Sequence, residues 1–167
     1  MKPESTPHDL LVAFLLVQNA LDRRSESFFQ SFGLTGAQFN ILNLLAVSKG
    51  PLDQLTLTER LLVGKSSISI VLNRMVKAGL IERREHPRDR RRVVLTLTRQ
   101  GLSLWRKISP LYKKGVQEIF GSLPKKYRRP FLDNLETLFG ALKQNSESQG
   151  TPSLTLRETL HQLSSTA

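Results

Sequence analysis

Residues Lys65 to Gly101, KSSISIVLNRMVKAGLIERREHPRDRRRVVLTLTRQG, decide the reading of this chain. Ile68, Val71, Leu72 and Met75 recur at i, i+3, i+4 and i+7, which predicts an amphipathic helix with that stripe turned inward. Gly79 ends the helix and Leu80-Ile81 opens a strand. A return strand follows, with Val93, Leu95 and Leu97 on one face and Arg92, Val94 and Thr96 on the other. His86, Pro87, Arg88, Asp89, Arg90 and Arg91 are expected to form the loop between the strands. From Lys65 to Arg99 ten basic residues stand against three acidic ones, a local net charge of +7 out of +11 for the 167-residue chain.

At 100° per residue the outward face of the helix is centred on Ser66, Ile70, Asn73 and Lys77, flanked by Ser69 and Arg74. Hydroxyls near a helix N-terminus, where backbone donors are free, suit phosphate contact. Asn73 has the donor and acceptor that pair with adenine N6 and N7, and an exposed Ile70 can pack on a thymine methyl. The plainer alternative is a solvated helix face carrying one stray isoleucine. Arginines on a hairpin suit a narrow minor groove, where the potential is most negative; otherwise they serve solubility. The candidate DNA contacts on the helix are Lys65, Ser66, Ser67, Ser69, Ile70, Asn73, Arg74 and Lys77. Those on the hairpin are Arg88, Asp89, Arg90 and Arg91.

Outward from this stretch, Thr6-Pro7-His8-Asp9 starts a helix with Thr6 as N-cap. It is expected to run to about Phe32, with Leu10, Phe14, Val17, Leu21, Phe28 and Phe32 as a continuous seam widened by Leu11 and Leu15. So long a seam is either core or a surface for a second subunit, and helices commonly pair through such seams. Gly33 stops it. Thr35 and Gln38 form a capping box for a helix whose residues Phe39 to Val47 are apolar on nearly all sides and should be central to the core. Gly50-Pro51 marks a turn, Asp53 or Thr56 caps a short helix through Leu57, Leu61 and Leu62, and Gly64 breaks it.

Thr98 caps a helix carrying Leu102, Trp105, Ile108, Leu111, Tyr112, Val116, Ile119 and Phe120, with Pro110 expected to bend it. A last helix is expected over about Pro124 to Asn145, with Phe131, Leu135, Leu138, Phe139 and Leu142 inward and Pro130 implying a kink or a later start. Beyond Asn145 the composition turns to Ser, Gln, Gly and Pro, with one short helix expected over Thr155 to Leu163.

Zero cysteines exclude disulfides and thiolate chemistry. The run Leu10 to Val17 is far shorter than the ~20 residues a membrane span needs. A cytoplasmic protein with no membrane partner is expected. No phosphate loop, nucleophile elbow or metal-binding motif is present, so no enzyme and no cofactor are expected. The fold class expected is mainly α with a small β-hairpin wing: a winged helix-turn-helix flanked by long N- and C-terminal dimerisation helices. Its expected parts are 1–33, the N-terminal dimerisation helix; 34–101, the DNA-binding region; 102–145, the C-terminal dimerisation helices; and 146–167, a tail. Residues 8–145 make one integrated domain.

Four pieces in order resemble the MarR family of winged-helix transcriptional regulators: Leu34-Thr35-Gly36-Ala37-Gln38-Phe39, Leu57-Thr58-Glu59-Arg60-Leu61, Gly79-Leu80-Ile81-Glu82-Arg83, and Asp89-Arg90-Arg91 leading to Leu97-Thr98-Arg99-Gln100-Gly101. Gly64 and Ile70 depart from the family pattern, where a hydroxyl and a polar or basic residue are usual. The resemblance covers about His8 to Asn145. It implies a homodimer on a pseudo-palindromic operator in double-stranded DNA, with Arg91 in a minor groove and Asp89 orienting it. It further implies repression relieved by a small-molecule effector, an aromatic or phenolic acid. The competing readings are a sequence-blind architectural DNA binder and a winged-helix module for protein or RNA.

Overall fold

The computed structural model describes residues 5–48, 50–61, 65–86, 89–144 and 156. Its elements in order are α1 (Pro7–Gln30), α2 (Gly36–Val47), β1 (Leu52–Asp53), α3 (Gln54–Leu61), α4 (Lys65–Lys77), β2 (Ile81–His86), β3 (Asp89–Leu97), α5 (Arg99–Phe120) and α6 (Lys125–Gln144). The chain divides into two compact units, Met1–Asn40 and Ile41–Ala167.

In the first unit α1 begins at a complete capping box. Asp9 N donates to the Thr6 hydroxyl at 3.2 Å, and Thr6 N donates to the Asp9 carboxylate at 2.8 Å. The helix closes two residues earlier than expected, through Phe32 N to Phe29 O (3.0 Å) and Leu34 N to Phe29 O (3.1 Å). Gly33 sits at φ 70°, a left-handed conformation that only glycine takes freely. The ring of Phe29 stacks on Phe39 at 4.8 Å and meets Phe28 edge-on at 5.1 Å. Of the two readings of the seam, core within this chain is not what the seam residues form. Phe29, outside the seam, is the buried residue of α1, whereas Leu10, Phe14 and Val17 are 62, 50 and 60 % exposed. Thr35 and Gln38 form their capping box at the start of α2, at 2.8 and 3.2 Å.

In the second unit Ile41, Leu42, Leu44 and Leu45 are buried, as an all-round apolar helix requires. Leu57, Ile68, Leu72, Met75, Leu80, Ile81, Val94, Leu95 and Ile108 complete the core. Asp53, rather than Thr56, caps α3: its carboxylate accepts from Thr56 N at 2.8 Å. The three strands form an antiparallel sheet in the order β1-β3-β2. The sequence shows only two of them. Leu52 and Asp53 pair with Leu95 and Val94, which makes β3 the central strand. Val94 and Leu95 are therefore both buried, at 1 % exposure, while Val93 is 54 % exposed, opposite to the simple alternation expected.

Helix α5 continues unbroken through Pro110, and α6 through Pro130, so α6 does not start a turn later. Arg128 fastens the turn before α6, its Nε donating to Leu123 O and its Nη2 to Gly121 O, both at 2.9 Å. The inward stripe expected of α6, like the apolar face of α5, is only partly covered within the single chain. Leu111, Phe120, Phe131, Leu138 and Leu142 are exposed, and Ile108 is the large apolar side chain of α5 that is fully buried. The breaking role of Gly64, Leu62 and the short helix expected over Thr155 to Leu163, apart from Leu156, lie outside the described residues.

Candidate nucleic-acid interface

Helix α4 is seated by Ile68, Leu72 and Met75, each at most 2 % exposed. Its opposite face carries Ile70, 56 % exposed, with Asn73, Arg74 and Lys77 also exposed. Ile70 therefore belongs to the outward face of α4 and not to the core. Ser69 is turned sideways: its oxygen accepts from Nε2 of Gln54 at 2.7 Å, linking α4 to α3. Lys65, Ser66 and Ser67 form the first turn of α4, and their side chains lie outside the described set.

The hairpin is joined to α4 by a tight corner. Gly79 N donates to Val76 O and Leu80 N to Met75 O, both at 3.0 Å, and Gly79 has φ 68°. The Thr98 hydroxyl donates to Gly79 O at 2.6 Å, with Leu80 O 3.2 Å away, and accepts from Gly101 N at 3.0 Å. One threonine thus caps α5 and ties its start to the root of the hairpin. The Thr98-x-x-Gly101 spacing has a physical cause, since a Cβ on Gly101 would overlap the Leu80 carbonyl.

The strands reach further than expected. β2 runs to His86 and β3 begins at Asp89, so Asp89, Arg90 and Arg91 belong to a strand and not to the loop. Arg88 lies outside the described residues. Glu85 pairs with Val93, but His86 pairs with Asp89 where a regular ladder would bring Arg92. Residues 90–92 therefore fall in a bulge, a device that bends a strand and re-aims its side chains. The arginines were legible as a cluster; the extra strand length was not, because Arg and Asp carry little strand propensity.

Arg83, not among the candidate contacts, reaches the same face. It stands opposite Leu95, and its Nη2 donates to Oδ1 of Asn73 at 2.7 Å, so the strand reaches across to the outward face of α4. No spacing rule links residues ten apart on different elements. Among the described residues no group of three or more His, Asp or Glu side chains is arranged to hold a metal ion. Nor is any helix among them long and apolar enough to cross a membrane.

Residues 32–92 match the family model described as MarR family. The HTH-type transcriptional regulator FarR of Neisseria gonorrhoeae is 30 % identical over 124 residues, which cover 72 % of this chain and 84 % of FarR. The chain belongs to the MarR family. Its relatives are transcriptional regulators, a class distinct from enzymes. Among solved MarR-family structures, AbsC from Streptomyces coelicolor is similar with a TM-score of 0.71 at 26 % identity, covering 89 % of this chain and all of AbsC, 100 %. The S. aureus MepR–DNA complex shares the fold with a TM-score of 0.72 at 20 % identity, covering 83 % of this chain and 99 % of MepR. The mainly helical architecture with a small antiparallel sheet is thus that of the MarR winged helix-turn-helix.

Proposed function

We propose that this MarR-family regulator is a cytoplasmic homodimer that represses transcription from a pseudo-palindromic operator. The observation that carries the reading is the juxtaposition of α4's outward face with the arginine-rich β2–β3 hairpin. Ile70, Asn73, Arg74 and Lys77 are exposed there, and the bulge at residues 90–92 lies on the adjoining hairpin. In this reading α4 enters the major groove, with Lys65, Ser66, Ser67 and Ser69 near the phosphates. Arg91 enters the flanking minor groove, oriented by Asp89, with Arg88 and Arg90 beside it. MepR, of the same fold, has been captured on DNA.

The dimer reading is supported by the apolar side chains that the single chain leaves in water. Leu10, Leu11, Phe14, Leu15 and Val17 on α1 are 47 to 62 % exposed, and Leu138 and Leu142 on α6 reach 56 and 72 %. Helix faces this apolar ordinarily meet a partner. Residues 1–33 and 102–145 are accordingly assigned to dimerisation, 34–101 to DNA and 146–167 to a tail, within one integrated domain, 8–145.

Release by a small aromatic or phenolic acid completes the proposal. The first unit contains a cleft of about 310 Å³ lined by Asp22, Glu26, Gln30 and Leu34 among others. Its two carboxylates repel an organic anion, so such an effector is expected at a different place.

Selection of duplexes from a random pool at near-physiological salt, where phosphate-only binding is weak, tests the function. A two-fold motif with half-sites about one helical turn apart is the expected result. Recovery of DNA without a motif would instead indicate an architectural binder, and no recovery a protein or RNA partner.

A further inference from the structure

The hydrogen bond from Arg83 Nη2 to Asn73 Oδ1, at 2.7 Å, joins β2 to the outward face of α4. The chemistry of the partners settles which way the amide points. A guanidinium has only donors, so the atom of Asn73 that faces it is the oxygen; the flipped amide would set donor against donor. Both side chains are exposed, and the Arg83 backbone is held in the ladder opposite Leu95. The pair is therefore a surface feature on a fixed mount.

In the major groove adenine offers an acceptor, N7, beside a donor, N6, whereas guanine offers two acceptors, N7 and O6. An unengaged asparagine matches adenine with its own donor and acceptor. Here one acceptor position of Asn73 is taken by a cation. Asn73 Nδ2, the remaining N–H groups of Arg83 and one lone pair of Oδ1 beside the guanidinium are left, a set dominated by donors. The adjacent positive charge also opposes the amino group of adenine or cytosine. We infer that Asn73 and Arg83 act as one unit that reads guanine at one position in each half-site. Arg83 both orients the carboxamide and adds its own donors. This replaces the adenine pairing expected of Asn73 alone, and it rests on the operator-binding reading above.

The test is the random-pool selection repeated with the full chain and with Arg83→Ala and Asn73→Ala, each checked for helical content by circular dichroism. The unaltered protein should select guanine at one position per half-site. Arg83→Ala frees the amide oxygen, so that position should turn toward adenine, the guanine-to-adenine ratio falling roughly ten- to hundred-fold while the other positions persist. Asn73→Ala should weaken preference at that same position. Should Arg83→Ala lose helical signal, Arg83→Met keeps the stem without the donors and must move the same base. A motif that is identical for all three proteins, whatever the affinity, overturns the inference and makes the pair a strut or a phosphate contact. Changes at two different positions overturn it as well. If the unaltered protein yields no motif, the operator reading itself has failed, an outcome distinct from a motif that does not respond.

Discussion

The indole nitrogen of Trp105 donates to Oδ1 of Asn43 at 3.1 Å, joining α5 to α2 through two half-buried side chains. Removing the donor while keeping an aromatic ring, Trp105→Phe, should lower stability by about 1 kcal/mol. A double-mutant cycle with Asn43→Ala in chemical denaturation, followed by far-ultraviolet circular dichroism, measures the coupling. Strict additivity of the two changes would show that the bond contributes nothing. Trp105 is the only tryptophan, so in the parent protein its fluorescence also reports this contact directly.

Gly101 is the second case. Any side chain there meets the Leu80 carbonyl, which belongs to backbone anchored by Thr98 and cannot simply step aside. Gly101→Ala should cost about 1–3 kcal/mol by forcing α5 away from the hairpin root. An unchanged denaturation midpoint would show that the corner tolerates the displacement.

The start of α1 should respond to acid. The hydrogen bonds from the Thr6 hydroxyl and then from the Thr6 backbone hold the Asp9 carboxyl below its ordinary value of 3.8. A carboxylate with a lowered folded-state pKa contributes stability that is fully present above the unfolded value and lost as pH falls through the folded one. The protection of amides in the first turn of α1, measured against their intrinsic exchange rate at each pH, should therefore fall below about pH 4. In Asp9→Asn that extra acid response should be absent. Equal responses in both proteins would assign the effect to another group.

On the DNA side, Arg91→Ala should weaken operator binding by about 1–3 kcal/mol with the oligomeric state unchanged. Fluorescence anisotropy with the selected duplex gives the first quantity and analytical ultracentrifugation the second. Full affinity in the variant would remove Arg91 from the minor groove.

What could be read from the sequence was local. Thr6, Thr35 and Thr98 each announce a cap because the partner lies three residues away, and the Ile68-Leu72-Met75 stripe repeats at the helical period. What could not be read depends on distant partners. Strand β1 is two residues long, too short for any alternation, and exists because Val94 and Leu95 pass beside it. The slip that sets His86 against Asp89 is a property of two strands together. Periodicity identified the apolar faces of α5 and α6 but not what covers them, so Phe131 and Leu142 were expected inside and stand in water. The candidate site was half legible for the same reason: Asn73 could be found from its helix face, whereas Arg83 becomes visible only when strand and helix are side by side.

Thr98 has a mechanical consequence. Its hydroxyl lies within hydrogen-bonding distance of Gly79 O and Leu80 O and caps α5, so the end of α4, the base of the hairpin and the first turn of α5 share a single knuckle. The 22 residues of α5 thus begin at the point where α4 ends and the hairpin starts, a joint through which any tilt of α5 would act on both. One side chain is therefore common to all three arms, with no intermediate side chains between them.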